Sequence, residues 1–341
     1  MSFLILSEWV ADRKKAGGLS SPLTGDKITF ASVIFGRFFM KRPFVLALLV
    51  NLIVLAYVQA ARAAPELKTL APGVYAFVGG EGKTNSGFIV TEKGVVVIDT
   101  QGPPELARLL REKIKETTDK PISHVINTHY HGDHTFGNQY FAEGLIIAHE
   151  NTRKALIEKD EAHRVSFRKF FGEESLKEFS LTLPDATFTD RMILRYGGRT
   201  MELVYAGAKA HTDGDIFVWL PEERVLFAGD LLYNGRLPLL NDGETAGALK
   251  AIDKITSTDA SVLVPGHGPV STVEDALRYK GYMEALRAEV KKLMEKGMGR
   301  EEAASNVSLP AYSSWLMYKE WLPASAARVF DELTGEREKK D

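Results

Sequence analysis

Through the middle of the chain apolar residues fall in short runs bounded by turn residues, and towards its end they fall at helical spacing. Thr69 to Val78 and Ser86 to Thr91 alternate apolar and polar positions, the period of antiparallel strands. The glycine-rich stretch Gly79 to Asn85 between them predicts a flexible hairpin. Gly94 to Thr100 is a buried strand that ends in Asp99. Pro103 to Thr117 predicts a helix with proline at its start. His124 to Asn127 is a further buried strand, His134 to Phe141 starts a helix, and Leu145 to Ala148 is a strand. Glu150 to about Phe179 is charged and mostly helical. Met192 to Arg195, Met201 to Tyr205, Ile216 to Leu220 and Val225 to Phe227 form a second set of strands, with Pro221-Glu222-Glu223 as a tight turn. Ala246 to Ile255 is helical and Ser261 to Val264 a strand. Beyond them Thr272 to Lys296 reads as one long amphipathic helix, and Arg300 to Ala304 and Tyr318 to Leu333 as two more. Interleaved strands and helices of this kind predict an α/β protein whose sheets are covered by helices.

Composition narrows this picture. With 341 residues, 45% of them apolar, the chain can bury a large core in one or two domains. A net charge of −2 and no basic cluster argue against a nucleic-acid partner. The lack of cysteine excludes disulfides, thiolate metal sites and cysteine nucleophiles. Met40-Lys41-Arg42 is a short basic start, Phe44 to Ala56 is apolar except for Asn51, and Ala61-Arg62-Ala63 has a small-x-small cleavage pattern. Residues 40–63 thus read as a signal peptide, with a periplasmic or secreted mature chain from about Ala64. Residues 1–39 then read as a mis-called start or an unstructured leader. The other reading is a retained signal anchor, although Phe44 to Ala60 is short beside the ~20 residues of a membrane span. Residues 64–270 are expected to form the catalytic domain, with 271–341 as C-terminal helices packed on it.

The chemistry is concentrated in Thr128-His129-Tyr130-His131-Gly132-Asp133-His134. Imidazole and carboxylate are the zinc ligands available to a chain without thiolate. Four such groups this close together cannot all reach one ion with good geometry, which suggests two ions. Further ligands come from His211 in Ala210-His211-Thr212-Asp213-Gly214-Asp215, Asp230 in Ala228-Gly229-Asp230, and His267 in Gly266-His267-Gly268. Each adjoins an apolar run and is expected in a loop at a strand end.

In this order the residues resemble the metallo-β-lactamase superfamily: H-x-H-x-D-H, then His, then Asp, then Gly-His-Gly, preceded by the strand ending in Asp99. The resemblance runs from about Thr69 to about Gly268. It implies a four-layer αββα sandwich of two mixed sheets, here with a helical C-terminal extension. It also implies a dinuclear centre holding two zinc ions, with manganese or iron as alternatives. His129, His131 and His211 would hold one ion and Asp133, His134 and His267 the other, with Asp230 bridging. Asp133 and Asp230 would also act in catalysis, and Asp99 would orient the histidine loop from behind. Lys83 and Asn85 on the glycine-rich hairpin, with Tyr233 and Asn234, would form the substrate loops. Gly82-Lys83-Thr84 is not a phosphate loop, because Phe77 stands where that motif needs glycine. His124, His149 and His163 lack partner spacing and read as packing or surface residues.

The implied activity is that of a dinuclear zinc hydrolase in which a shared hydroxide attacks a carbonyl or ester-like bond of a small molecule. The flanks are similar to those of zinc β-lactamases, so β-lactam hydrolysis is one alternative. Asp230 stands where those enzymes carry cysteine, and Tyr233 where they carry the lysine that grips the drug. An aspartate there resembles glyoxalase II, which makes a thioesterase the second alternative. The export signal and helical tail resemble exported metallohydrolases of quinoprotein-relay and sulfur-oxidation systems. A metal-dependent binding protein without turnover is the reading from another class.

Overall fold

The computed structural model describes residues 64–79, 83–177 and 179–335, so residues 1–63, including the expected leader and signal peptide, lie outside the described residues. Among the described residues the strands form two mixed sheets. The first contains β1 (Glu66–Ala71), β2 (Val74–Val78), β3 (Ser86–Val90), β4 (Val95–Ile98), β5 (Ile122–Ile126), β6 (Leu145–His149) and β7 (Ala186–Phe188), in that order. Its first four strands pair antiparallel, and β4 to β7 run parallel. The second contains β8 (Arg191–Tyr196), β9 (Arg199–Tyr205), β10 (Ile216–Leu220), β11 (Val225–Tyr233) and β12 (Val262–His267), antiparallel except for the parallel pair β11–β12.

Alternation along the strands sorts the core into three layers. Val96 and Ile98 of β4 meet Val218, Val225 and Phe227 of the second sheet in the layer between the sheets. Val95 and Val97 face outward against Ala107, Leu110 and Ile114 of helix α1 (Pro104–Thr117). On the far side, Phe217, Leu226 and Ala228 pack under α5 (Thr245–Thr256), α6 (Val273–Glu295) and α8 (Tyr318–Thr334). The result is helix, sheet, sheet, helix, with the C-terminal helices sharing the core of the second sheet. The remaining helices are α2 (Gly132–Thr135), α3 (Glu150–Glu158), α4 (Asp160–Phe171) and α7 (Arg300–Asn306). None of the helices among the described residues is long and apolar enough to cross a membrane.

Several expectations need correction. Thr69 to Val78 is a hairpin rather than one strand, because Pro72-Gly73 turns the chain with Gly73 at φ 77°. β11 continues to Tyr233 through an irregular register with β12, so Asp230 lies inside a strand and not in the loop after it. His267 is likewise the last residue of β12. The helical stretch from Glu150 breaks at Lys159 and ends in a 3-10 turn at Glu174–Leu176. His134 to Phe141 is one turn of α-helix followed by the 3-10 segment Phe136–Phe141. The short edge strand β7 has no counterpart in the sequence reading.

The two sheets approach closely where β3 faces β11. A Cβ on Gly87 would lie 2.1 Å from Phe227 Cε1. Gly87→Ala is therefore expected to lower stability by about 1–3 kcal/mol through overpacking. Phe227→Ala should cost about 3–5 kcal/mol through the cavity it leaves. Urea denaturation checks both, and an unchanged midpoint for Gly87→Ala would contradict the close approach.

Candidate metal centre

The site is built from behind. Asp99 sits just past β4 with a left-handed backbone (φ 54°) and is almost fully buried. Its Oδ1 accepts Thr128 N–H at 2.8 Å, and its Oδ2 accepts the Thr128 hydroxyl at 2.7 Å and His134 Nδ1–H at 2.8 Å. Three donors from one loop thus end on one carboxylate. Because His134 gives its Nδ1 proton to Asp99, it is Nε2 that faces inward. Thr128 passes the constraint on: with its hydroxyl proton on Asp99, its oxygen accepts from His129 Nδ1 at 3.1 Å, so His129 Nε2 also faces inward. Asp99 thus lies behind the histidine loop and bonds both Thr128 and His134.

The other ligands are fixed by equally local devices. Asp215 Oδ2 accepts the backbone N–H of His211 and of Thr212, both at 2.7 Å, which folds the loop under His211. Thr84 Oγ1 donates to Asp133 Oδ2 at 2.5 Å. The Tyr233 hydroxyl donates to Asp230 Oδ2, and its ring stacks on that of His267 at 5.1 Å. Gly266 leaves room for Asp230, since a Cβ there would lie 1.8 Å from Asp230 Oδ1.

The seven candidate side chains converge in two groups, His129, His131, His211 and Asp230 in one and Asp133, His134 and His267 in the other. Asp230 lies between them. Its Oδ2 is 3.1 Å from His211 Nε2 and 3.9 Å from His129 Nε2, and its Oδ1 is 3.1 Å from His134 Nε2. His267 Nε2 lies 3.3 Å from Asp133 Oδ2 and 3.5 Å from Asp230 Oδ2. His129 Nε2, His134 Nε2 and Asp230 Oδ1 are buried and make no hydrogen bond. Buried polar atoms are rarely left so, and an imidazole–carboxylate set without thiolate suits zinc, manganese or iron.

Electrostatics divides the imidazoles. Burial, reinforced by His134 and the other imidazoles, holds His129 well below its usual pKa, and burial takes His211 down to about 3. Both are neutral, with lone pairs ready to bind. Burial also pulls on His134 and His267, but the Asp230 and Asp133 carboxylates outweigh it. His134 is held well above its usual value and His267 at about 9. Burial would raise Asp133 and Asp230, yet the facing imidazoles keep both well below the usual carboxylate range.

The expected substrate loops fare differently. Lys83 is exposed. Asn85 is turned inward instead: its Nδ2 donates to Pro265 O and Gly268 O, both at 2.8 Å, and its Oδ1 accepts Gly79 N–H at 2.9 Å. It therefore braces the His267 turn and is not placed to meet a substrate. Tyr233 is buried against Asp230, and Asn234 Nδ2 bonds Ser271 Oγ at 2.9 Å, so these too belong to the frame.

Other residues enter without a sequence signal. Asp242 Oδ2 lies 3.2 Å from His131 Nε2, which leaves His131 Nδ1 facing His211 Nε2 at 2.8 Å. Lys159 Nζ donates to the Tyr130 hydroxyl at 2.8 Å and to Asp242 Oδ1 at 3.2 Å. His163 places its ring 5.0 Å from that of Tyr130 and 6.5 Å from that of His131. These contacts join segments far apart in the chain, and the sequence alone reads His163 as a packing or surface residue.

Comparison with known proteins places this geometry. The family described as Metallo-beta-lactamase superfamily matches residues 79–267. A metallo-beta-lactamase type 2 of Bacillus sp. (strain 170) is 28% identical over 202 residues, covering 57% of this chain and 70% of that protein. A linear primary-alkylsulfatase of Pseudomonas sp. (strain ATCC 19151) is 24% identical over 265 residues, 66% of this chain, which spans only 50% of that protein. Among solved structures, a metallo-beta-lactamase from Pontibacter korlensis aligns with a TM-score of 0.55 at 22% identity, covering 65% of this chain and 99% of that one. A stereoselective inverting sec-alkylsulfatase from Pseudomonas sp. aligns with a TM-score of 0.62 at 18% identity, covering 79% of this chain and 50% of that one. At such identities the structural likeness is one of fold.

Asp99→Ala is expected to weaken metal binding about 10–100-fold, because it frees Thr128 and His134. A competition titration against a chromophoric chelator measures it, and wild-type affinity would contradict the role. Metal uptake should also depend on pH. His267, at about 9 in the metal-free protein, must lose its proton to bind, so affinity falls as pH drops below about 9. Affinity that stays flat from pH 9 to 7 would show that His267 carries no such proton to lose.

Proposed function

The chain belongs to the metallo-beta-lactamase superfamily and is a hydrolase of that fold, and we propose that it works with two metal ions on a carbonyl or ester-like bond of a small molecule. The observation that carries this reading is Asp230, set between two ligand groups with Oδ1 near His134 and Oδ2 near His211. His129, His131 and His211 would hold one ion, Asp133, His134 and His267 the other, and Asp230 both. Bound there, zinc would supply Lewis acidity and a hydroxide nucleophile near neutral pH.

The chain's own residues supply orientation and proton handling. Tyr233 donates to Asp230 Oδ2 and so fixes which way the shared carboxylate turns. Thr84 holds Asp133 Oδ2 in the same manner from the hairpin that carries Lys83. Asp133 is the more open of the two central carboxylates, 29% exposed against 3% for Asp230. It is the group placed to receive a proton from attacking water and pass it to the leaving atom. Thr84, Asp133 and Lys83 thus form the substrate side, and Asp99, Asp230 and Tyr233 the closed side.

Among substrate classes, β-lactams lose support from Tyr233, which is buried on Asp230 and offers no cation to a carboxylate. Sulfate esters gain support because the alkylsulfatase likeness extends over more of this chain than the lactamase likeness does. The Met40-to-Ala63 stretch supports action outside the cytoplasm.

A panel of a β-lactam, a thioester, a lactone, a phosphodiester and a sulfate ester, run alongside metal analysis, tests the reading. About two ions per chain are expected, with turnover of at least one ester-like substrate. Chelation, His129→Ala and Asp230→Ala should each abolish that turnover. Full activity after chelation would overturn the proposal, and bound metal without turnover would favour the binding-protein alternative.

A further inference from the structure

The C-terminal helix α8 lies outside the 79–267 segment that the family shares, yet two of its residues, Arg328 and Glu332, reach one loop of the site and the helix start that follows it. That loop, residues 234–244, connects β11 to α5 and has no helix or strand of its own. Its course must therefore be set from outside. Arg328 of α8 donates from Nε to Leu240 O at 3.2 Å and from a terminal nitrogen to Gly243 O at 3.5 Å. These two carbonyls flank Asp242. One helical turn further on, Glu332 accepts Thr245 N–H at 2.9 Å, Ala246 N–H at 3.0 Å and the Thr245 hydroxyl at 2.7 Å. It caps the exposed amides at the start of α5. Arg287 of α6 pairs with Glu332 from behind and donates to Thr245 Oγ1 at 2.5 Å.

The clamped loop meets the ligand set at His131 and beside His211, while its first residue, Asn234, donates its N–H to His267 O at 3.1 Å. Asp242 holds His131 Nε2, and it is gripped in turn by Lys159 and by a hydrogen bond from Tyr130. Glu244 N–H donates to Ala210 O at 2.7 Å, beside His211. A Cβ on Gly243 would lie 2.2 Å from that same carbonyl, so the loop lies directly against the His211 backbone. His131 is 18% exposed, the most open of the five imidazoles, so it relies most on an outside partner.

We propose that α8 is a working part of the ion centre: through Arg328 and Glu332 it sets the 234–244 loop, and through Asp242 that loop sets His131. Asp242 and Arg328 are positioning residues for the ion held by His129, His131 and His211. The proposal rests on the two-ion reading above and adds a dependence of one ion on the C-terminal helix.

The test uses the full chain and reads metal binding rather than turnover. Zinc competition titrations against a chromophoric chelator, with circular dichroism as the check on folding, compare wild type, Asp242→Ala, Asp242→Asn, Arg328→Ala and the double variant Asp242→Ala/Arg328→Ala. Asp242→Ala should weaken one ion by about 10–100-fold and leave the other unchanged. Asp242→Asn, which keeps an acceptor for His131, should recover part of the loss. Arg328→Ala should weaken the same ion by a smaller factor and add nothing in the Asp242→Ala background, as expected of residues acting in series. Two ions bound with wild-type affinity by Asp242→Ala would overturn this proposal and leave the hydrolase reading standing. So would an Arg328→Ala effect that persists undiminished in the double variant. A wild-type chain that binds no metal would end both.

Discussion

An imidazole has two nitrogens, and only one of them can face an ion. The arrangement of this site follows from that constraint. Where an outward partner takes one nitrogen of a histidine, the other is turned inward. For His134 that partner is Asp99, for His129 it is Thr128, itself bound to Asp99, and for His131 it is Asp242. Removing an outward partner leaves the ligand present but free to turn, which is why the residues behind a metal site matter nearly as much as the ligands.

The sandwich makes those partners available. β4 and β5 run parallel and end side by side, which brings Asp99 against Thr128. β11 and β12 run parallel in the other sheet and carry Asp230 and His267 to the same edge. The two sheets must pack closely for the four strand ends to meet, and Gly87 against Phe227 marks how closely they do. The left-handed backbone at Asp99 belongs to the same arrangement, a strained conformation held by the three hydrogen bonds its carboxylate accepts.

Charge balance follows from the same crowding. Burial alone would neutralise every titratable group at the centre, but carboxylates and imidazoles placed within 3–4 Å oppose it. His129 and His211 remain neutral, while His134 and His267 keep protons in the metal-free protein. The carboxylates of Asp133 and Asp230 stay ionised, as ligands must.

The strands and helices were largely legible because their hydrophobic period is a local property, and the ligand candidates because their residue types and order are local too. What local pattern misses is where a segment pairs. β11 runs on to Tyr233 because β12 lies alongside, which places Asp230 in a strand. The Pro72-Gly73 turn was itself a local signal, outweighed by the alternation on either side of it. Asn85, Tyr233 and Asn234 looked like substrate contacts by position and proved to be frame, because only the fold shows which side of a loop faces the centre. Asp242 carries no motif, since its meaning lies in a 3.2 Å contact with His131, 111 residues away in the chain. The sequence by itself determined which groups could bind metal and which faces are buried. Tertiary structure alone decided which nitrogen of each histidine looks inward, because that depends on partners brought together only when distant segments pack.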